Sequence, residues 1–217
     1  MAWEQALTAS SDTYHHGRLK RALFEAAREH VRSGKQAAVS LRSVARAVGV
    51  SHTAVYRHYR SRRHVLAAVA ADALISLAEA LEAARRSVAP ATGVEALASA
   101  YVRWALAQRE ALRLAFAAEL WDKEDLPELR AAADRASRPL LEAVGALDSV
   151  DHEQERSLAV AIWAQVHGMA VLAGDAQLRQ GELRLDGAGT ESVVAAVVPA
   201  VRALVSSWSK GDGARAQ

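Results

Sequence analysis

Cysteine is absent from this chain of 217 residues, and proline, glycine and aromatic residues are scarce. Without thiols the protein has no disulfide bond, thiolate zinc site or cysteine nucleophile. This absence fits a reducing compartment, so we expect a cytoplasmic location. Alanine, which has the highest helix propensity, is heavily used. The composition therefore favours an all-α fold.

Several functional signals are also missing. The first sixteen residues carry two acids and no long apolar run, which excludes a signal peptide. Polar or charged residues interrupt each apolar run, so the sequence predicts no membrane span. There is no Gly-rich phosphate loop, Gly-x-Ser-x-Gly motif or His-Glu-x-x-His motif, so we expect neither an enzyme nor a cofactor. The adjacent His15 and His16 are a weak metal candidate, because neighbouring residues point different ways on a helix, and we predict no metal site.

Charge is distributed unevenly along the chain. Residues 15–66 contain twelve lysines and arginines and only two acids, a net charge of +10, together with six of the eight histidines. Residues 67–217 contain fifteen lysines and arginines and twenty-one acids, a net charge of −6. A basic segment joined to an acidic body is the layout expected of a nucleic-acid-binding domain attached to another domain. The alternative is a basic surface that is merely solvated.

Apolar residues recur at helical spacing along most of the chain. The predicted helices span residues 17–33, two short segments within 41–59, and then about 62–87, 93–108, 110–120, 127–146, 153–174 and 190–208. Pro139 lies inside one of these helices and is expected to kink or divide it. The glycine-rich residues 181–189 are expected to form a loop, and we find no strands and no repeats.

Two short helices that meet at a glycine are indicated within residues 41–59. Ser40 and Ser51 each precede an apolar stripe and are predicted N-caps, because a serine hydroxyl accepts hydrogen bonds from free amides of the first turn. Gly49 lies at the turn, where a positive φ is easiest for glycine. These features predict a helix-turn-helix. Its expected core residues are Val44, Ala45, Val48, Val50, Val55 and Tyr59.

The second of these helices is expected to enter the major groove of DNA. The side chains predicted to face outward, toward base edges and phosphates, are Ser51, His52, Thr53, Arg57 and His58. The ring of Tyr56 is expected to pack against the domain while its hydroxyl reaches a phosphate.

The string SLRSVARAVGVSHTAVYRHYRSRRHVL, residues 40–66, closely resembles the pattern of the TetR family. The matching residues are Ser40, Val44-Ala45, Val48-Gly49-Val50-Ser51 and Tyr56-Arg57-His58-Tyr59. The chain departs from the family at Tyr59, where phenylalanine is usual, and at Arg62-Arg63, where the family usually has lysine followed by an acid. The resemblance implies phosphate contacts for Ser40, Tyr56 and Arg62. It makes Arg42, His52, Thr53 and Arg57 candidates for base contacts.

The C-terminal part of the chain is expected to bind an effector and to form a dimer, as the resemblance implies. The helices predicted at 153–174 and 190–208 carry more apolar surface than one protomer hides, so we expect them to form a four-helix interface with their copies. An internal core face is the alternative.

The stretch Trp163 to Met169 resembles the Trp-x-x-x-His-Gly signature of one TetR-family subgroup. Trp163 and His167 share a helical face, and Gly168 would let another helix approach. One interpretation is an effector pocket lined by Trp104, Phe116, Trp121, Trp163 and His167. The other, which we favour for the structure, is a core histidine satisfied locally, with the glycine as a packing notch.

The sequence thus predicts a ligand-responsive transcriptional repressor that binds a palindromic operator as a homodimer, without a membrane partner. The expected organisation is a mobile arm at 1–14, a DNA-binding domain at 15–60, a sensing and dimerisation domain at 61–210 and a disordered tail at 211–217. The alternative is a helical small-molecule-binding or interaction protein with a non-specific basic surface.

Overall fold

The computed structural model describes residues 2–121, 126–147, 150, 152–180, 182, 184–185 and 189–209, and all their side chains except those of 2–16 and 209. Every regular element in this part of the chain is helical, which confirms the all-α prediction. The α-helices are α1 (Ala2–Arg32), α2 (Leu41–Val48), α3 (His52–Tyr56), α4 (Arg62–Arg86), α5 (Gly93–Ala107), α6 (Arg109–Ala115), α7 (Ala118–Trp121), α8 (Pro127–Gly145), α9 (His152–Gly174) and α10 (Thr190–Ser209). Short 3₁₀ turns lie at Gln36–Ala38, Pro90–Thr92 and Gln177–Arg179.

The first helix begins earlier than the sequence predicts. It starts at Ala2 and passes through Gly17, where the apolar pattern predicts its beginning. A glycine inside a helix costs only about 1 kcal/mol relative to alanine, which is too little to end a long helix. The predicted tail at 211–217 and most of the predicted loop at 181–189 lie outside the described residues.

Two other predicted helices differ in detail from those observed. The helix expected at 110–120 is divided into α6 and α7, and the Trp121 indole donates a 2.9 Å hydrogen bond to the carbonyl of Ala115 at the end of α6. In a continuous helix that carbonyl would accept from the backbone amide one turn later. Here the indole N–H takes the place of that amide, and α6 ends. Conversely, Pro139 does not divide α8, which stays continuous around it. The flanking Ala136, Ala143 and Val144 are buried, and this packing offsets the missing backbone hydrogen bond.

The chain forms two compact units. Unit 1 comprises Met1–Ala73 and Glu110–Arg130, and unit 2 comprises Leu74–Arg109 and Ala131–Gln217. Unit 1 therefore combines the helix-turn-helix with the α6–α7 segment, and α4 contributes residues to both units. The functional domain boundaries expected at residues 14, 60 and 210 stay predictions.

The core of unit 1 is built from the inner faces of its helices. Leu23, Ala27 and Val31 are buried along α1, four residues apart, as the apolar pattern of this helix predicts. Val65 and Leu66 of α4 are buried in the same unit. Helix α1 packs on α2, and α2 packs on α3.

The core of unit 2 is formed by α5, α9 and α10, which pack on one another. Two bidentate ion pairs join α5 to α10. Arg202 donates to Glu95 at 2.6 and 3.1 Å, and Arg103 donates to Glu191 at 2.9 and 2.8 Å. Because the later residue of α5 pairs with the earlier residue of α10, the two helices are antiparallel. The arginine hydrogen bonds hold the pKa of both carboxyls below the ordinary value.

Within the described residues, three helices are long and apolar enough to cross a membrane, by length and composition alone: Arg62–Arg86, His152–Gly174 and Thr190–Trp208. Alanine-rich helices with few charges reach this hydropathy even when polar residues interrupt them. Of the apolar window in each, 61% is buried in the first, but only 28% and 22% in the other two. Burial in the core therefore accounts for the apolar residues of α4. It does not account for those of α9 and α10.

Candidate nucleic-acid interface

The helix-turn-helix is shaped by local capping, as predicted. The Ser40 hydroxyl accepts from the amide of Ser43 at 2.9 Å, and the Ser43 hydroxyl accepts from the amide of Ser40 at 2.9 Å, which completes a capping box. Gly49 ends α2 with φ of 76°, in the left-handed region that favours glycine. The Ser51 hydroxyl accepts from the amide of Ala54 and begins α3. Both cap predictions and the predicted turn are confirmed.

The inner face of the motif holds the two helices together. Val44, Ala45, Val55 and Tyr59 are buried, and Val48 and Val50 are partly buried, so the predicted core is confirmed. Burial raises the pKa of the Tyr59 phenol, which keeps its hydroxyl neutral. This core leaves α3 only one face on which to meet a partner.

The outer face of α3 is polar and cationic. Tyr56 is 52% exposed, and its ring meets the ring of His52 edge to face at 4.9 Å. Most of the residues predicted to contact DNA are exposed, namely Arg42, Ser51, His52, Thr53, Tyr56 and Arg57. His58, which is also predicted to point outward, is partly buried. The exposed residues of α3 and its C-cap Arg57 thus present hydroxyl, imidazole and guanidinium groups of the kind that bind base edges and phosphates.

Arg62 occupies a different environment from the one predicted. Its guanidinium donates to the carbonyl of Val39 at 2.8 Å and to that of Gln36 at 3.2 Å, and lies 3.4 Å from a carboxylate oxygen of Glu119. The neighbouring Arg63 donates to the carbonyls of Glu119 and Leu120, each at 2.9 Å. The phosphate role of Arg62 stays a prediction. Sequence reasoning missed the backbone contacts, because no local pattern links residues 36–39 to residue 62.

The five aromatic and histidine residues predicted to line an effector pocket do not belong to one unit. Phe116 and Trp121 lie in unit 1, whereas Trp104, Trp163 and His167 lie in unit 2. Trp104 is buried and donates to the Ser76 hydroxyl at 3.2 Å. Trp163 is 42% exposed and Trp121 is 38% exposed. An effector role for these residues stays a prediction.

The structure adds Tyr101 to the signature residues Trp163 and His167. The Tyr101 hydroxyl lies 2.7 Å from Nδ1 of His167, whose ring lies against that of Trp163. At this distance the phenol O–H donates to Nδ1 of His167 in one tautomer of the ring and accepts from it in the other. Burial lowers the pKa of His167 and raises that of Tyr101, so both are neutral at pH 7. His167 thus has a hydrogen-bond partner, but it is only partly buried, so it is not the core histidine that was expected.

No part of the protomer that the structure describes packs into the predicted notch at Gly168. A Cβ placed there would meet nothing within 4 Å. Among the described residues, no group of three or more His, Asp or Glu is placed to hold a metal ion. The side chains of His15 and His16 lie outside the described part.

Two family models match the chain. One, described as bacterial regulatory proteins of the tetR family, matches residues 23–69, which include α2 and α3. The other, described as a tetracyclin repressor-like C-terminal domain, matches residues 94–198, from α5 into α10. No curated protein matches the sequence.

Several solved structures share the fold. A protein of unknown function from a Rhodococcus species is 30% identical, with a TM-score of 0.70 over 88% of this chain and 98% of that chain. A tetR-family regulatory protein, also from Rhodococcus, is 18% identical, with a TM-score of 0.62 over 86% and 96% of the two chains. The TetR-family transcriptional regulator PfmR from Thermus thermophilus is also 18% identical, with a TM-score of 0.57 over 85% and 97%. The last two likenesses concern the fold alone.

Proposed function

Because this chain belongs to the TetR family of DNA-binding transcription regulators, we propose that it is a cytoplasmic, ligand-responsive repressor that binds a palindromic operator as a homodimer. Members of this family regulate transcription and are not enzymes. The observation that carries the proposal is the exposed polar face of α3 above a buried apolar face. A helix held in this way is able to lay its polar face in a major groove.

The proposed base contacts are Arg42, His52, Thr53 and Arg57, and the proposed phosphate contacts include Ser40 and Tyr56. Arginine reads guanine through two parallel hydrogen bonds, and the methyl and hydroxyl groups of threonine meet thymine or either base edge. The contact between His52 and Tyr56 restrains both rings before DNA arrives. This restraint reduces the entropy lost on binding.

We propose that the dimer forms through α9 and α10. Val160, Trp163 and Leu172 of α9 are 54%, 42% and 40% exposed, although each is a large apolar side chain. Ala195 and Ala203 of α10 are also exposed. Contiguous exposed apolar surface of this kind marks an interaction site, and pairing with a second copy would form a four-helix interface.

The dimer would place two helix-turn-helix motifs on successive major grooves, about 34–36 Å apart. We propose that an effector bound in unit 2 shifts α4, changes the spacing of the motifs and releases DNA. Residues of α4 belong to both units, which supports this route. Such coupling requires an effector with different affinity for the two spacings.

The experiment is a selection of bound fragments from random DNA duplexes at moderate salt. We expect a palindrome with half-sites about one helical turn apart. Recovery of DNA with no shared sequence would contradict the proposal and would favour a non-specific basic surface, whatever the salt dependence of binding. The molecular mass in solution, measured on the same protein, tests the dimer independently of DNA.

A further inference from the structure

The first two residues of α4 are tied to two different segments of unit 1. Arg62 donates to the carbonyls of Gln36 and Val39, in the stretch that leads into α2. Arg63 donates to the carbonyls of Glu119 and Leu120 in α7. The carboxylate of Glu119 also lies within ion-pair distance of Arg62. The two arginines thus connect α7, the beginning of α4 and the entry to the helix-turn-helix.

The backbone at both ends of this connection is held firmly. Val39 and Leu120, which supply two of the four accepting carbonyls, are each 1% exposed, so these two carbonyls follow the core. A charge-assisted hydrogen bond to a carbonyl on a buried segment is stronger than a neutral one. A displacement of α7 would therefore shift residues 36–39, which lie directly before the cap of α2.

The side chain of Arg62 is poorly placed for a primary role at phosphate. Two of its guanidinium nitrogens donate to backbone carbonyls, and a third faces the carboxylate of Glu119. A phosphate would have to compete with this carboxylate, which is half-exposed and carries the same charge sign as DNA. The contacts favour a role in orientation over a role in phosphate binding.

We propose that Arg62 and Arg63 are positioning residues, through which the α6–α7 segment sets the orientation of the helix-turn-helix and hence the affinity for DNA. The inference rests on the DNA-binding function proposed above and adds the two residues that orient its DNA-binding motif.

The test uses the full-length protein and two duplexes of equal length, one with the selected palindrome and one with a scrambled sequence. The decisive variant is Glu119→Gln, because it removes a negative charge near DNA. If Arg62 only binds phosphate, this change leaves affinity equal or raises it. If the pair positions the motif, affinity for the palindrome falls by about three- to tenfold. Glu110→Gln is the matched control, since Glu110 pairs locally with Arg113 in the same unit.

The arginine variants test the same point from the other side. Arg62→Lys and Arg63→Lys keep the positive charge but lose the planar fork that reaches two carbonyls. We expect weaker binding to the palindrome with an unchanged slope of log affinity against log salt, whereas each lost phosphate contact would reduce that slope by about 0.9. Arg62→Lys combined with Glu119→Gln should cost less than the sum of the two single changes, because both break one connection.

A structural readout separates orientation from a general loss of stability. The chain has no cysteine, so Arg46→Cys on the exposed side of α2 accepts a single spin label in each protomer. Without DNA, we expect Glu119→Gln to shift or broaden the distance between the two labels of a dimer, and Glu110→Gln to leave it unchanged. Unaltered distances together with unaltered affinity in all Glu119, Arg62 and Arg63 variants would overturn the inference. If the wild-type protein itself selects no palindrome, the proposed function fails instead.

Discussion

Helices α3 and α9 both expose one face, but the chemistry of the two faces is opposite. On α3 the exposed residues are His52, Thr53 and Tyr56, with Arg57 following at the helix end, and the buried residue is Val55. On α9, from Leu158 onward, the large hydrophobic residues that are exposed are Val160, Trp163 and Leu172. The buried face of each helix packs inside its own unit. The two helices therefore differ in the kind of partner that their exposed faces bind.

The comparison separates two kinds of partner. A polar, cationic face loses little by staying in water and gains when it meets the phosphates and base edges of DNA. An apolar face of α9 gains by leaving water, at roughly 25 cal/mol per Å² of apolar surface buried. The same helical architecture therefore supports two interfaces, whose partners are distinguished by side-chain chemistry. The two faces are tested separately by substitutions that alter one of them and leave the other as it is.

The largest effect is expected from Val160→Asp on α9. A carboxylate at the centre of an apolar interface loses its hydration, at a cost of several kcal/mol, so the dimer should weaken by about a hundredfold or more. Sedimentation or light scattering measures the molecular mass as protein concentration is lowered. Val88→Asp is the matched control, because Val88 is similarly apolar and 37% exposed but follows the end of α4. If both variants dimerise equally well, α9 is not part of the dimer interface.

The next effect concerns the polar face of α3. In Thr53→Ala combined with Arg57→Ala, discrimination between the selected palindrome and a scrambled duplex should fall by about ten- to a hundredfold, since each good base contact contributes about 1–3 kcal/mol. Competition binding at fixed salt measures this ratio. Arg138→Ala removes an exposed arginine from α8 and should leave the ratio unchanged. Unchanged discrimination in the double variant would mean that α3 is not the recognition helix.

A smaller effect is expected when Gly49, at the end of α2, is replaced by alanine. Gly49→Ala places a side chain at φ of 76°, where only the backbone conformation opposes it, and should lower the free energy of unfolding by about 1 kcal/mol.

Gly168→Ala has open space within the protomer and improves helix propensity. We expect this change to weaken dimer association by about tenfold without destabilising the protomer, because Ala164, Gly168 and Leu172 lie on one face. Stronger association after Gly168→Ala would show that no partner helix approaches there.

The smallest effect is a pH dependence of stability from His167. Burial lowers the pKa of this histidine in the folded protein, so the unfolded chain binds more protons as pH falls through 6.5. Stability should therefore be fully present above pH 7 and decrease toward pH 5, before Glu95 and Glu191, whose pKa values are lowered, begin to protonate. His167→Gln keeps an acceptor for the Tyr101 hydroxyl and should reduce the difference in melting temperature between pH 7 and pH 5. An equal difference in both proteins would assign the dependence to other groups.

Local features of the fold were predictable from a few neighbouring residues. The caps at Ser40 and Ser51 and the left-handed Gly49 depend on contacts within about one helical turn, and the sequence displays them directly. The buried residues of α2 and α3 follow the apolar period for the same reason. The beginning of α1 and the break between α6 and α7 were not predictable, because weak local preferences yield to packing and to single hydrogen bonds such as that of Trp121.

The sequence by itself determined the all-α fold, the helix-turn-helix and the membership of the family, since these depend on periodicity, caps and a contiguous motif. Only the tertiary structure decided what the key polar side chains touch. Arg62 meets Val39 across 23 residues of chain, Arg63 meets Glu119 across 56, and Tyr101 meets His167 across 66. Such contacts form when distant segments are brought together by burial of the core, and the energy of that burial is not directional. The pattern of any one segment therefore identifies a side chain as available, and the packing of the whole unit selects its partner.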